Sequence, residues 1–289
     1  MGKEYWMRLT SEEIERAKER LKMPFKKRIQ YANQLLTKDL LELMEKKKSN
    51  LVVAADQQFN SAKEVFKFAK DLASEIIGFK FHPRMYQRKL GWFFNNHDAE
   101  LLDIAKEEDF VIINDTKLGD IGKIMVGQLE EELKNAHMVT THEVQGFHAL
   151  KAINDMAKKL YEIDKIPRGG ISLLYMTPEG HMFDLIFDRL IDDANKYGVV
   201  GGVVAGRDLN ALYHAMARLE LGILIFSPGI KIEERKGERG QTYGHPFHAV
   251  KHGTDIIIVG SGIYKSKDPV KAAREYRKEG WEGYQERLG

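Results

Sequence analysis

A chain of 289 residues that is 43% hydrophobic can bury one large core, and alternating α/β barrels reach this length as a single domain. Forty-five Lys and Arg against 43 Asp and Glu leave a net charge of +2, which gives no reason to invoke a nucleic acid or a membrane as partner. The absence of cysteine excludes disulfides, thiolate metal sites and a cysteine nucleophile together, and it fits a reducing interior.

At the start of the chain, charged Lys3 and Glu4 stand where a secretory leader would place apolar residues, and no stretch approaches membrane-spanning length. A cytoplasmic protein is expected. Helical periodicity over Ser11 to Lys22 and Asn33 to Lys48 makes residues 1–48 a helical N-terminal extension. Short apolar runs then follow in order: Asn50 to Asp56, Ile76 to Phe81, Phe110 to Asp115, His137 to His142, Ile171 to Met176, Val199 to Ala205, Gly222 to Phe226 and Asp255 to Gly260. Each has strand length and is rich in Val, Ile and Leu, as expected where both faces are buried. Helix-period segments such as Ser61 to Ala73, Gln145 to Leu160 and Phe183 to Lys196 lie between them, so β and α units alternate. Eight such units close most naturally into a (β/α)8 TIM barrel, and residues 1–289 are expected to form one α/β domain. An open doubly wound sheet is the alternative. It lacks support where it would need it, because Asp56-Gln57-Gln58 follows the first strand in place of a glycine fingerprint.

In barrels of this kind the reacting groups sit at the C-terminal ends of the strands. Asp56 ends the first run, Lys80 lies near the end of the second, and Asp115 with Lys117 ends the third. Residues two apart on a strand share a face, so Asp115 and Lys117 should point together into the mouth while Thr116 points elsewhere. Asp120 lies just beyond, where the next helix starts. Taken singly, these residues read as a turn aspartate, a solvated lysine and a helix cap. Converging in one mouth, two carboxylates alternating with two ammonium groups hold each lysine protonated and each aspartate ionised. Such a cluster repels a substrate carboxylate and presents a proton beside it. A second signal follows the last two runs, where barrels often bind phosphate. It comprises Ser227-Pro228-Gly229-Ile230, a polar loop with Lys231, Arg235, Lys236 and Arg239, then Gln241-Thr242-Tyr243, and finally Val259-Gly260-Ser261-Gly262-Ile263-Tyr264. The glycines either admit backbone N–H groups to phosphate oxygens or simply make tight strand-to-helix turns.

Together these residues resemble the orotidine 5′-monophosphate decarboxylases, in particular their eukaryotic-type branch. Asp115-x-Lys117-x-x-Asp120-Ile121-Gly122 matches the family's Asp-x-Lys-x-x-Asp signature, with Asp56 and Lys80 at the ends of the preceding strands. Ser227-Pro228-Gly229 is similar to its strand-seven motif, Gly240-Gln241-x-Tyr243 to its phosphate-gripping segment, and the closing Tyr276-Arg277-Lys278-x-Gly280-Trp281-Glu282-x-Tyr284 to its C-terminus. The resemblance implies decarboxylation of orotidine 5′-monophosphate to uridine 5′-monophosphate in de novo pyrimidine synthesis, with neither cofactor nor metal. On that basis Lys117 is the general acid at C6, Asp115 crowds the departing carboxylate, and Lys80 and Asp56 position the ribose and maintain the charge array. Thr177 would contact the pyrimidine. Pro228, Gln241, Tyr243, Gly260 and Ser261 are the remaining substrate contacts. The resemblance also implies a homodimer with shared active sites, in which Asp120 and Ile121 reach the neighbouring subunit.

Two positions depart from the family pattern. Ser261 stands where a phosphate-binding arginine is usual, and a charge-assisted bidentate grip is lost; Arg235, Lys236 or Arg239 on the preceding loop are candidates to replace it. Ile124 stands where a threonine is usual. Two other functions compete with the leading one: a metal-dependent sugar-phosphate decarboxylase or aldolase of the same superfamily, and a homologue that binds a nucleotide without turning it over. His245, His248 and His252 are spaced to share a helical face, but no carboxylate at ligand spacing accompanies them, so they read as packed or surface histidines. His137, His142 and Glu143 form a similar group around the fourth run, and His82 could line the mouth.

Overall fold

Thr10 opens the first helix, α1 (Ser11–Lys22), with a capping box: its hydroxyl accepts from Glu13 N at 3.2 Å while the Glu13 carboxylate accepts from Thr10 N at 2.7 Å. The short α2 (Phe25–Arg28) and α3 (Leu35–Lys47) follow, and Lys48 ends α3 in the left-handed conformation. The computed structural model describes residues 9–56, 59–82, 97–178, 180–232 and 244–289.

Each of the eight apolar runs coincides with a strand, although β3 extends three residues beyond its run, β5 starts two residues before its run and β7 ends one residue after it. They are β1 (Leu51–Ala54), β2 (Gly78–Phe81), β3 (Val111–Leu118), β4 (Met138–Thr141), β5 (Gly169–Tyr175), β6 (Gly201–Val204), β7 (Leu224–Ser227) and β8 (Ile256–Val259). All pair in parallel, in sequence order, and β1 pairs with β8, so the sheet is a closed barrel rather than an open doubly wound one. Side chains from inside the barrel interdigitate. A Cβ on Gly201 would lie 2.3 Å from Phe226 Cε2, so glycine there makes room for the ring.

The outer layer comprises α4 (Ala62–Leu72), α5 (Asp98–Glu107), α6 (Gly122–Glu132), α7 (His148–Asp164), α8 (Phe187–Tyr197), α9 (Leu209–Arg218), α10 (Pro246–Lys251), α11 (Ser261–Tyr264) and α12 (Pro269–Leu288). The side chains of Ser61, Asp208 and Asp268 cap α4, α9 and α12 by accepting from the backbone N–H groups of Glu64, Ala211 and Lys271. Two helix starts differ from the periodicity. Residues 145–147 belong to the loop before α7, and Phe183–Leu185 form a separate 3-10 turn before α8. No helix among the described residues is long and apolar enough to cross a membrane.

The segments flanking the barrel meet beneath its floor, at the N-terminal ends of the strands. Asp255, immediately before β8, accepts from Arg28 at 2.6 Å and from Arg20 and Arg287 at 3.3 Å each, all four side chains being buried. Backbone carbonyls of Leu219, Glu220 and Leu221 take further guanidinium donors from Arg20 and Arg28, and those of Val250 and Thr254 take them from Arg287. Burial lowers Arg20 to about 9, and the three cations hold Asp255 far below the usual carboxylate range against the opposing effect of burial. Above this floor, Phe25 stacks on Tyr284 with ring centroids 4.1 Å apart, and a Cβ on Gly280 would collide with Asn50 Oδ1 at 2.5 Å. Glycine in α12 thus lets that helix lie against the barrel.

Candidate active site

At the opposite end, β3 runs past its apolar part and ends in Asp115-Thr116-Lys117-Leu118. Simple strand alternation does not bring Asp115 and Lys117 together. Asn114 pairs with Val139 of β4 but the next registered pair is Leu118 with Thr141, so four steps along β3 span two along β4. Lys117 takes a left-handed backbone, φ 51°, inside this bulge. Bulges re-aim side chains at barrel rims. Here the bulge turns the Lys117 ammonium back onto Asp115 Oδ1, at 2.7 Å.

The other oxygen of the same carboxylate, Oδ2, accepts from Lys80 Nζ at 2.6 Å, and Lys80 lies 3.8 Å from Asp56 Oδ1 at the end of β1. The order in space is Asp56, Lys80, Asp115, Lys117. Lys80 and Asp115 are buried, whereas Asp56 and Lys117 are partly open to solvent. Burial opposes the charge on both inner groups. For Lys80 it is outweighed by Asp115 and then Asp56, which raise it above its ordinary value; for Asp115 it is outweighed by Lys80 and then Lys117, which hold it well below the carboxylate range. All four sequence-predicted charges at strand ends therefore form one array, with Asp56 at its rim. Asp120 stands apart: its Oδ1 accepts from Ile121 N at 2.9 Å, and no ion pair joins it to the array among the described residues.

Thr140, which sequence reasoning passed over, touches two members of the array. Its Oγ1 donates to Asp115 Oδ1 at 2.8 Å and accepts from Lys117 N at 3.0 Å. A hydroxyl interrupting the apolar run of β4 near its C-terminal end was the available signal. His82 and His142 follow the ends of β2 and β4 on either side of β3. Burial, and next the charge on Lys117, lower both imidazoles, so both are neutral at neutral pH.

The other predicted residues that are described follow the C-terminal ends of strands, at the same end of the barrel. Thr177 lies beyond β5 and is half-buried, Pro228 follows β7, and Gly260 and Ser261 join β8 to α11. Gln241 and Tyr243 lie outside the described residues, as do Arg235, Lys236 and Arg239. The fourth-strand group separates. His137 immediately precedes β4 at the barrel floor and accepts from Ile112 N at 3.0 Å, while Glu143 turns behind the sheet and accepts from Ser172 Oγ at 2.5 Å. His252 Nδ1 lies 2.9 Å from Tyr213 OH, and His245 and His248 pack edge to face. Among the described residues no three His, Asp or Glu side chains are grouped to hold a metal ion.

The model of the orotidine 5′-phosphate decarboxylase / HUMPS family matches residues 49–276, from just before β1 into α12. The orotidine 5′-phosphate decarboxylase of Emericella nidulans is 30% identical over 260 residues, 88% of this chain and 93% of that protein. That of Aspergillus awamori is 31% identical over 262 residues, 88% of this chain and 92% of that protein. The crystal structure of orotidine 5′-monophosphate decarboxylase from Methanocaldococcus jannaschii complexed with the inhibitor BMP shares the fold, with a TM-score of 0.63 at 23% identity over 80% of this chain and 98% of that one. A family match that spans the whole barrel, with relatives aligned along nearly their full length, places this chain in the orotidine 5′-phosphate decarboxylase / HUMPS family.

Proposed function

We propose that this chain decarboxylates orotidine 5′-monophosphate to uridine 5′-monophosphate, with Lys117 as the proton donor to C6. The observation that carries this reading is the Asp115 carboxylate held between two ammonium groups, Lys80 on one oxygen and Lys117 on the other. The C6 carboxylate of the substrate, placed against Asp115, gains free energy by leaving as carbon dioxide. The electron pair of the broken bond stays on C6, beside the Lys117 ammonium, which transfers a proton to it. Because the ammonium is already in place, the developing charge is stabilised without the reorganisation that water would need. Lys80 and Asp56 orient the ribose, Thr177 meets the pyrimidine, and Pro228, Gln241, Tyr243, Gly260 and Ser261 hold the remainder of the nucleotide. Binding energy from the phosphate, far from the reacting carbon, offsets the cost of placing two carboxylates together.

The sites are completed by a second copy of the chain. Asp120 is not engaged by its own array, and Ile121 and Ile124 beside it are 60% and 61% exposed, so the segment that starts α6 is free to meet a partner's mouth. The chain acts as one barrel domain, with residues 1–48 as a helical extension, in the cytoplasm.

The test is ultraviolet monitoring of purified protein with orotidine 5′-monophosphate, with and without a chelator. Rapid, chelator-insensitive loss of substrate with stoichiometric uridine 5′-monophosphate is the expected result. Nucleotide binding with no turnover would overturn the reading in favour of a binding homologue. Turnover lost to the chelator would favour the metal-dependent alternative.

A further inference from the structure

Thr140 is 3% exposed, and its one hydroxyl serves two partners on the neighbouring strand. The directions of these bonds follow from the groups involved. An amide N–H only donates and an ionised carboxylate only accepts, so the hydroxyl proton goes to Asp115 and a lone pair takes the Lys117 N–H. The contacts fall where the ladder between β3 and β4 is interrupted, so the threonine side chain satisfies the Lys117 N–H within the bulge. Lys117 is there in a left-handed conformation that costs an L-residue ~1–2 kcal/mol and persists only where the surroundings hold it.

We propose that Thr140 is a positioning residue for the decarboxylation, clamping the Lys117 backbone and the Asp115 carboxylate so that the ammonium meets C6 without rearrangement. This rests on the function proposed above. The clamp acts on the lysine through its backbone, from β4, which pairs with β3 and β5 and not with β7 or β8, the strands that precede the proposed phosphate contacts. Its loss therefore weakens the transition state far more than ground-state binding. A misplacement of about 1 Å at a reacting group costs roughly 100-fold in rate.

The experiment measures kcat, KM, affinity for uridine 5′-monophosphate and thermal midpoint for the wild-type chain and for Thr140→Val, Thr140→Ser and Thr140→Ala. Valine keeps the shape and removes the hydroxyl. Serine and alanine both lose the methyl group and differ only in the hydroxyl, so their comparison decides the matter even if the valine variant does not fold. Alanine is expected to lower kcat by about 100-fold, with KM and product affinity within about twofold of wild type, and serine to recover kcat to within about threefold. Equal kcat for alanine and serine, or a loss confined to KM, overturns the clamp while leaving the decarboxylase reading standing. An inactive wild-type chain overturns both.

Discussion

Lys117, the proposed proton donor, rests on a buried carboxylate, and removing either member of that pair has a different consequence. Its side chain is about one-third exposed, so Lys117→Ala opens no sealed cavity and leaves Asp115 paired to Lys80. General acids contribute roughly 10²–10⁴-fold, and in the proposed mechanism the proton donor also supplies the charge that stabilises the carbanion. Lys117→Ala is expected to abolish measurable product formation with an unchanged circular dichroism spectrum; substantial residual turnover would remove Lys117 from its role. Asp115→Ala differs in kind. It leaves the buried Lys80 with Asp56 alone, 3.8 Å away, and stranding a buried charge costs about 3–5 kcal/mol. Denaturant titration should show that loss for Asp115→Ala and little for Lys117→Ala. The pH dependence follows the same carboxylate. Its folded pKa is depressed, so its contribution is present above the unfolded value near ~3.9 and is lost as pH falls below it.

Among the elements, the loop between β4 and α7 carries a carboxylic acid with no part in the array. Burial, then the charge on Asp193, pushes Glu143 up to about 8 from its ordinary 4.5, although its bond from Ser172 opposes the shift. A raised folded pKa means that the protonated form belongs to the native state. The contribution is fully present below pH 4.5 and drains away as pH rises toward 8. Glu143→Gln, which cannot ionise, should match wild type in urea near pH 4.5 and exceed it progressively up to pH 8.5. An equal gain at every pH would assign the effect to packing instead. This loop also shows where sequence reading reaches its limit. The eight strands were legible because doubly buried parallel strands are continuous apolar runs, and the charges at their ends stood out against that background. The bulge in β3 was not legible, since one skipped register leaves no mark in composition, and Thr140 acquires its role only through that bulge. His137 and Glu143 looked like neighbours of His142 because sequence proximity hides which side of a strand, and which end, a side chain occupies.

At the scale of the whole molecule, the mouth and the floor can be perturbed separately. Ile124→Glu and Val144→Glu place charges on exposed apolar positions, 61% and 64% exposed, beside the segment assigned to the partner's site. Sedimentation velocity should show a dimer for the wild-type chain and a monomer with reduced kcat for the double variant; a fully active monomer would remove the shared-site arrangement. On the floor, Asp255→Ala leaves Arg20, Arg28 and Arg287 without their common counter-charge. A stability loss of about 3–5 kcal/mol is expected, with kcat per folded molecule unchanged because the array lies at the other end of the barrel.

The same carboxylate constrains the order in which the protein can be made. Arg20 and Arg28 leave the ribosome 235 and 227 residues ahead of Asp255, and Arg287 follows it by another 32. Until Asp255 has emerged, two guanidinium groups destined for a dry interior lack the carboxylate they share, and only backbone carbonyls, those of Leu219 to Leu221 among them, can receive them. The carboxylate is thus a latch for segments far apart in sequence: α1 and α2 before the barrel and α12 after it are fastened to one side chain.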